Sequence, residues 1–466
     1  MKPVLLREEL SIMTFSFVKW LICAAFAGLV VGAGASLFVW ILNFATGLGD
    51  KAPGLWRLLL LPLGILVSTW IVKTYAPSAK GHGTEKVIEA VHEKDSMIQV
   101  AVVPVKLVAT VVTLACGGSA GKEGPAAQIG AGMMSIAARV LRFSSYDRMR
   151  LVVCGVSAGF AAIFGTPVAG ALFGLEVLFV GQVFYDVLFA SVVSGVVSWR
   201  VSAYCGVHHP DFAAALTNFE VTPNVMVWVI IAGFCFGLMA LLYILTMQGA
   251  EKAFHRLPVS PYLKALIGAG LLILLALALG QNYLGLGMDT VEGLILGQVS
   301  WTRALYFAFF CKMVFTSITL SCGGSGGVVT PIFFIGVTGG AAFAHFFQLP
   351  VEPFAALGMV SLLAACANAP VSAVLMGLEL FGAHMAPAIG LSCIAAFLVV
   401  GHHSIYPSQK LARSKFSVIR LANADRIDRV QTTSQWTESR TLHRVARFNR
   451  ANKMAWMKSH KKERSE

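Results

Sequence analysis

Residues 117–125 read GGSAGKEGP, and residues 323–331 read GGSGGVVTP. The two stretches lie 206 positions apart, and the same offset pairs Ile129-Gly130 with Ile335-Gly336. Each follows an apolar run that ends in cysteine, Cys116 or Cys322, and each leads through glycines to a proline and a second apolar run. Pro125 and Pro331 suit the first turn of a new helix, where a missing N–H costs nothing. That N-terminus presents unpaired N–H groups and the positive end of the helix dipole, and glycines let a ligand come close. The pattern predicts a seat for an anion made of backbone rather than full charges. Weak dipolar binding suits conduction, because the ion must also leave. The structural alternative is that the glycines only permit close helix packing.

A second match follows in the same order. Thr166-Pro167-Val168 pairs with Ala369-Pro370-Val371, and Gly174-Leu175-Glu176 with Gly377-Leu378-Glu379, both at an offset of 203. Two related halves are expected, at 14–204 and 224–420, with a linker at 205–223 and a basic tail at 421–466. Paired interrupted segments in two halves point to a transport site at the repeat interface.

The surroundings require a membrane. The chain has 466 residues, 57% of them hydrophobic and only 13% charged, with a mean hydropathy of +0.74. Soluble domains carry about 25% charged residues. Residues 14–42 hold one charge, Lys19, and residues 225–250 hold none. Each exceeds the ~20 residues a helix needs to cross the hydrocarbon core. Spans are expected near 14–42, 55–75, 98–116, 124–141, 147–162, 166–180, 184–204, 224–253, 262–280, 303–320, 330–347, 354–367, 370–383 and 386–400. Amphipathic pieces at 83–93 and 407–420 are expected to be short helices. Many spans are short and broken by glycine or proline, which is tolerated at membrane depth only around protein or a hydrated cavity. The fold class is therefore an all-α polytopic membrane protein with partly broken helices.

Glu123 opens the second run of the first loop. An ionisable residue within spans defaults to a functional reading. Its carboxylate can take the anion's own seat and be released by a proton, so it reads as a gate and proton carrier. The bland reading is a Lys122–Glu123 ion pair. The net charge is +13, much of it in residues 410–466, including Arg444, Arg447, Arg450, Lys453 and Lys458. By the positive-inside rule this puts the C-terminus in the cytoplasm of a plasma (inner) membrane, where the tail meets anionic lipid. No nucleic-acid-binding motif accompanies the charge. The nine cysteines lack a disulfide spacing and read as small buried hydrophobes. His402-His403 reads as interfacial polarity rather than a metal site, since adjacent residues diverge on a helix. No cofactor is implied.

These residues resemble the CLC family of chloride channels and transporters. GKEGP at 121–125 is similar to that family's GKEGP/GREGP motif, GVVTP at 327–331 to its GxFxP motif, and Gly81-His82-Gly83-Thr84-Glu85 stands where it has GSGIP. Tyr406, at the start of the expected terminal helix, resembles its pore tyrosine. The resemblance covers residues 14–420 and implies a homodimer of two inverted halves, with one anion pathway per subunit. It implies Glu123 as the gating glutamate. Around the anion it implies His82, Gly83, Gly121, Lys122, Gly124, Val328, Val329, Thr330 and Tyr406. Three departures stand out. His82 replaces a serine that helps set anion preference, and Glu85 replaces a proline. Glu176 matches the first of two consecutive glutamates in proton-coupled relatives, whereas Val177 replaces the inner one and carries no proton. Val329-Thr330-Pro331 is similar to the family's fluoride exchangers, while Gly124-Pro125 is the chloride form. The implied function is transport of a small anion, most readily chloride, leaning to a passive channel. The alternative is a proton-coupled chloride or fluoride antiporter. A titrating His82 would make flux change between about pH 5.5 and 8, with His82→Ser flattening that change.

Two rivals come from other classes. Gly117-Gly118-Ser119-Ala120-Gly121 fits the G-x-S-x-G pattern of serine hydrolases. It recurs at Gly323–Gly327, and two nucleophile elbows in one chain argue against an enzyme. An organic-solute symporter shares the logic of repeats and broken helices.

Overall fold

The structure is a computed structural model, describing residues 3–51, 55–217, 219–299, 301–416, 419–421, 425–428 and 432–434. The chain runs through helices α1 (Pro3–Asp50), α2 (Leu55–Tyr75), α3 (Thr84–Glu93), α4 (Val102–Ala115), α5 (Glu123–Val140), α6 (Ser145–Phe164), α7 (Pro167–Glu176) and α8 (Tyr185–Tyr204). After the short α9 (Ala213–Leu216) come α10 (Pro223–Arg256), α11 (Pro261–Leu279), α12 (Met288–Ile295), α13 (Leu305–Cys322), α14 (Val329–Phe346), α15 (Val351–Cys366), α16 (Pro370–Phe381) and α17 (Ala386–Val399). Five short strands follow the chain order: β1 (Phe179–Val180), β2 (Lys410–Leu411), β3 (Ile419–Leu421), β4 (Asp425–Arg426) and β5 (Thr432–Ser434).

The helix starts follow local chemistry. Thr222 and Ser260 accept from Val225 N and Leu263 N, just ahead of Pro223 and Pro261. Pro167 and Pro370 open α7 and α16. Among the described residues seven helices are long and apolar enough to cross a bilayer. Others, such as α4, α7 and α16, are apolar but only 10–14 residues long. Leu274 and Leu277 of α11, like Trp40 and Phe44 of α1, are exposed apolar side chains suited to lipid. By contrast α6, α14 and α15 are buried over most of their length.

The two halves treat equivalent positions alike. Lys106 of α4 is fully buried and donates to Ala79 O and Gly81 O, at 3.3 and 2.6 Å. Lys312 of α13, 206 positions on, donates to Tyr283 O and Gly285 O at 3.2 and 2.8 Å. Glu176 closes α7, yet its carboxylate accepts from Val371 N, Ser372 N and Ser372 Oγ at the start of α16. Glu379 of α16 returns the contact, accepting from Val168 N and Ala169 N of α7 at 2.9 and 3.0 Å. Each helix thus satisfies the free N–H groups of the other with a carboxylate.

The expectation at 407–420 needs amendment. Residues 407–420 hold no helix among those described. Pro407 follows Tyr406, and β2 pairs in parallel with β1 and antiparallel with β4. Gln409 Nε2 there donates to Val177 O and Ala367 O, taking the segment's bonds into the protein. An unforeseen helix, α12, occupies 288–295. The 205–223 stretch buries Phe212 and Leu216. The expected tail at 421–466 lies outside the described residues apart from 421, 425–428 and 432–434.

Candidate functional site at paired helix N-termini

The two glycine loops meet at the junction of the halves. Gly121 N donates to Gly327 O and Gly327 N to Gly121 O, each at 2.7 Å. The approach is held by crossed hydroxyls. Ser119 Oγ pairs with Thr316 Oγ1 and Ser325 Oγ with Thr110 Oγ1, both at 3.1 Å. Ser119 N and Ser325 N bond Thr319 Oγ1 and Thr113 Oγ1. The serines of both G-x-S-x-G matches are therefore buried structural ties. The result brings the starts of α5 and α14 together.

Glu123 is the first residue of α5 but does not serve its own helix. Its Oε2 accepts from Thr330 N at 3.1 Å and from Thr330 Oγ1, at the start of α14. The side chain is 1% exposed. A carboxylate thus sits where the N–H groups of α14 would hold an anion. Val328 and Val329, at the same N-terminus, are wholly buried. At Gly121 an added Cβ would lie 2.7 Å from Glu123 Oε2 and 2.8 Å from Thr330 Oγ1, so no side chain fits beside the Glu123–Thr330 contact. Among the described residues no ion pair joins Lys122 to Glu123, whose Oε2 is taken by Thr330.

The loop before α3 closes on the same point. A Cβ added at Gly83, where φ is 75°, would strike Gly124 O, and one added at Gly124 would strike His82 O. His82 and Gly83 are in this way brought against the start of α5. Tyr406 is buried and its hydroxyl lies beside Thr84, within electrostatic reach of Glu85 and Glu123. Four buried polar atoms here lack a hydrogen-bond partner: His82 Nδ1, Thr84 Oγ1, Glu85 Oε2 and Tyr406 Oη. Natively buried polar groups are nearly always paired, so His82 Nδ1, Thr84 Oγ1 and Tyr406 Oη mark where an anion's contacts belong, whereas the Glu85 carboxylate oxygen is no partner for an anion.

Not every expected residue joins the site. Glu176 spends its carboxylate on α16, and Val177 is buried with its carbonyl taken by Gln409. Two contributors escaped the sequence reading. One is Lys106, whose bond to Gly81 O fixes the His82 loop; its offset of 206 from Lys312 would have revealed it. The other is Thr84, which no motif singled out.

His82 does not titrate where the sequence suggested. It lies on the loop outside the apolar spans, and burial, followed by Lys106 and Lys86, pushes its pKa down to about 4. A depressed histidine is neutral at every pH above that value, so between pH 5.5 and 8 it offers one N–H and no charge change. His82→Ser is therefore expected to leave the shape of the flux profile over that window unchanged, while altering anion preference. A flattened profile in that variant, measured by anion efflux at fixed gradients, would restore the titrating histidine.

The voltage gated chloride channel family model matches residues 63–401 of this chain. A "Chloride/fluoride channel protein" of Pseudomonas syringae pv. tomato is 36% identical over 422 residues, covering 88% of this chain and 90% of its own. An "H(+)/Cl(-) exchange transporter" of Klebsiella pneumoniae subsp. pneumoniae is 27% identical, over 76% of this chain and 78% of its own. The crystal structure of a CLC-type fluoride/proton antiporter superposes with a TM-score of 0.79 at 28% identity, covering 85% of this chain and 98% of that one. A slow cyanobacterial Cl⁻/H⁺ antiporter shares the fold, with a TM-score of 0.72 at 22% identity over 82% of this chain and 94% of that one. Family members are channels or transporters, so the hydrolase reading falls. This multi-pass integral membrane protein, with its two paired glycine loops, belongs to the CLC family of anion transport proteins.

Proposed function

We propose that this protein exchanges a small halide, fluoride in the first place, for protons. The observation that carries the reading is the Glu123 carboxylate bonded to Thr330 N and Oγ1 at the start of α14. An anion can take that seat only when Glu123 leaves. A proton on Glu123 removes the charge that holds it there, so each departure couples a proton to an anion. The donors in reach, the Thr330, Thr84 and Tyr406 hydroxyls and the neutral His82 N–H, suit a small anion that accepts strong hydrogen bonds. The printed names of the Pseudomonas relative and of the fluoride/proton antiporter support fluoride. Val177 favours a second reading, a passive chloride channel, because it has no proton to carry. In either case the unit is taken as a homodimer in lipid with its C-terminus in the cytoplasm.

Purified protein in liposomes loaded with fluoride, with a potassium shunt and no protonophore, tests the coupled reading. Fluoride leaving the vesicles should draw protons in and raise the external pH. Fluoride or chloride efflux with no proton movement would overturn exchange in favour of the channel. Chloride efflux with proton uptake, and no fluoride efflux, would overturn the choice of ion alone.

A further inference from the structure

Glu85 stands in the second position of α3, three residues after His82, where relatives of the GSGIP type have proline. Its Oε1 accepts from Ser408 N at 3.1 Å and from Ser408 Oγ. Its Oε2 is shielded from solvent and has no partner. A carboxylate with a purely structural task would have both oxygens bonded.

Its position is unusual as well. A vestibule of about 1110 Å³ is lined by Glu251, His255, His402, His403 and Arg426 together with Glu85. A second cavity of about 300 Å³ reaches the Lys80, Gly81 and His82 loop, and Glu85 lines that one too. Glu85 therefore lies on the seam between an open vestibule and the loop that abuts Glu123. On the inner side the Tyr406 hydroxyl, also unpartnered, lies beside Thr84 and within electrostatic reach of both Glu85 and Glu123. Titratable and hydrogen-donating groups are thus in place from the vestibule to the gate, along a course that bypasses Val177.

We propose that Glu85 is the proton carrier on the vestibule side, passing protons through the Tyr406 hydroxyl to Glu123. This rests on the exchange reading above. A hydronium ion in the vestibule gives its proton to the Glu85 carboxylate and becomes water. Glu85 then passes that proton to the Tyr406 oxygen as Tyr406 releases its own proton to Glu123, so the tyrosine ends unchanged. Neutral Glu123 quits Thr330, and the anion enters in the opposite sense.

The electrostatics agree. Burial pushes the Glu85 carboxyl up to about 7, against the Ser408 bonds and the charges of Lys86 and Arg426. The charged and titratable groups facing it are Lys86 on α3, His82 on the preceding loop, and Tyr406 and Arg426 on the C-terminal segment. Glu251, Lys252, His255 and Arg256 of α10, Lys264 of α11, Lys80, His402, His403 and Asp428 share its cavities, and Glu123 lies beyond Tyr406. A raised carboxyl is protonated below its pKa and releases the proton above it, so loading and unloading both occur near neutral pH.

The test is Glu85→Gln, with Glu85→Asp beside it, in fluoride-loaded liposomes with simultaneous fluoride and pH electrodes. Wild-type protein should move both ions. Glu85→Gln should keep fluoride efflux within about threefold while protons moved per fluoride fall about tenfold or more. Glu85→Asp should keep both. An unchanged proton-to-fluoride ratio in Glu85→Gln would sink the proposal, whether the two fluxes hold or fall together, since Glu85 would then only support the fold. Wild-type fluoride efflux without proton movement would instead overturn the exchange reading, and the carrier role with it.

Discussion

Glu123→Gln protein will carry fluoride without moving protons. The wild-type carboxylate holds the α14 N-terminus through Thr330 N and Oγ1, and it does so as a charged acceptor. Hydrogen bonds to charged groups contribute about 1.5–3 kcal/mol, against about 1 for neutral ones. Glutamine keeps the shape and one acceptor but loses the charge, so its grip loosens by about 1–2 kcal/mol. Fluoride efflux should then rise by about tenfold, since 1.4 kcal/mol is a factor of ten. Proton uptake driven by the fluoride gradient should fall to the rate of empty liposomes, because an amide does not exchange its proton as a carboxyl does. The measurement is the paired fluoride and pH recording described above. Proton uptake that persists in Glu123→Gln would remove Glu123 from the proton path. Efflux that stops entirely would mean that an ionised gate is needed to expel the anion, rather than merely to block it.

Much of this arrangement was legible because it is encoded twice. The 206-residue offset located both loops, and the pairing of Gly121 with Gly327 is the contact that such a repeat predicts. The helix starts at Glu123 and Val329 followed from Gly-rich turns ahead of Pro125 and Pro331. What stayed hidden depends on contacts about 200 residues apart in sequence. Nothing local to Glu123 says that it serves Thr330 of the other half rather than its neighbour Lys122. Likewise the exchange of carboxylates needs α7 and α16 to lie antiparallel, each glutamate beside the start of the other helix, although the 203-residue offset had already matched Glu176 with Glu379. The 407–420 stretch misled for a different reason. Its amphipathic pattern suggested a helix, but Gln409 finds Val177 O and Ala367 O, and β2 finds β1, and those partners lie outside any local window. The shift of His82 away from neutral pH was hidden in the same way, since it comes from burial and from Lys106 on another helix.

The other large effect is steric and turns on a single methyl group. At Gly124 an added Cβ would collide with His82 O and stand 3.1 Å from Gly327 Cα. Both obstacles are backbone. His82 O is on a loop that cannot retreat freely, because Lys106 anchors Gly81 O at 2.6 Å and there is no room for even a Cβ between Gly83 and Gly124 O. Gly124→Ala must therefore push α5 away from the α3 loop or from the α14 start, and either movement shifts Glu123 relative to Thr330. Overpacking of this kind costs about 1–3 kcal/mol, occasionally more. Gly270→Ala is the matching control. It lies within α11, where an added Cβ meets nothing within 4 Å, and a helical Gly→Ala change stabilises by roughly 0.5–1 kcal/mol. The same chemical change should then have opposite outcomes. Gly124→Ala should lower the thermal midpoint in detergent and cut fluoride efflux about tenfold or more, while Gly270→Ala should raise the midpoint slightly and leave efflux alone. Wild-type efflux and midpoint in Gly124→Ala would mean that the α3 loop yields after all, and that the approach of His82 and Gly83 to α5 does not set the position of the gate.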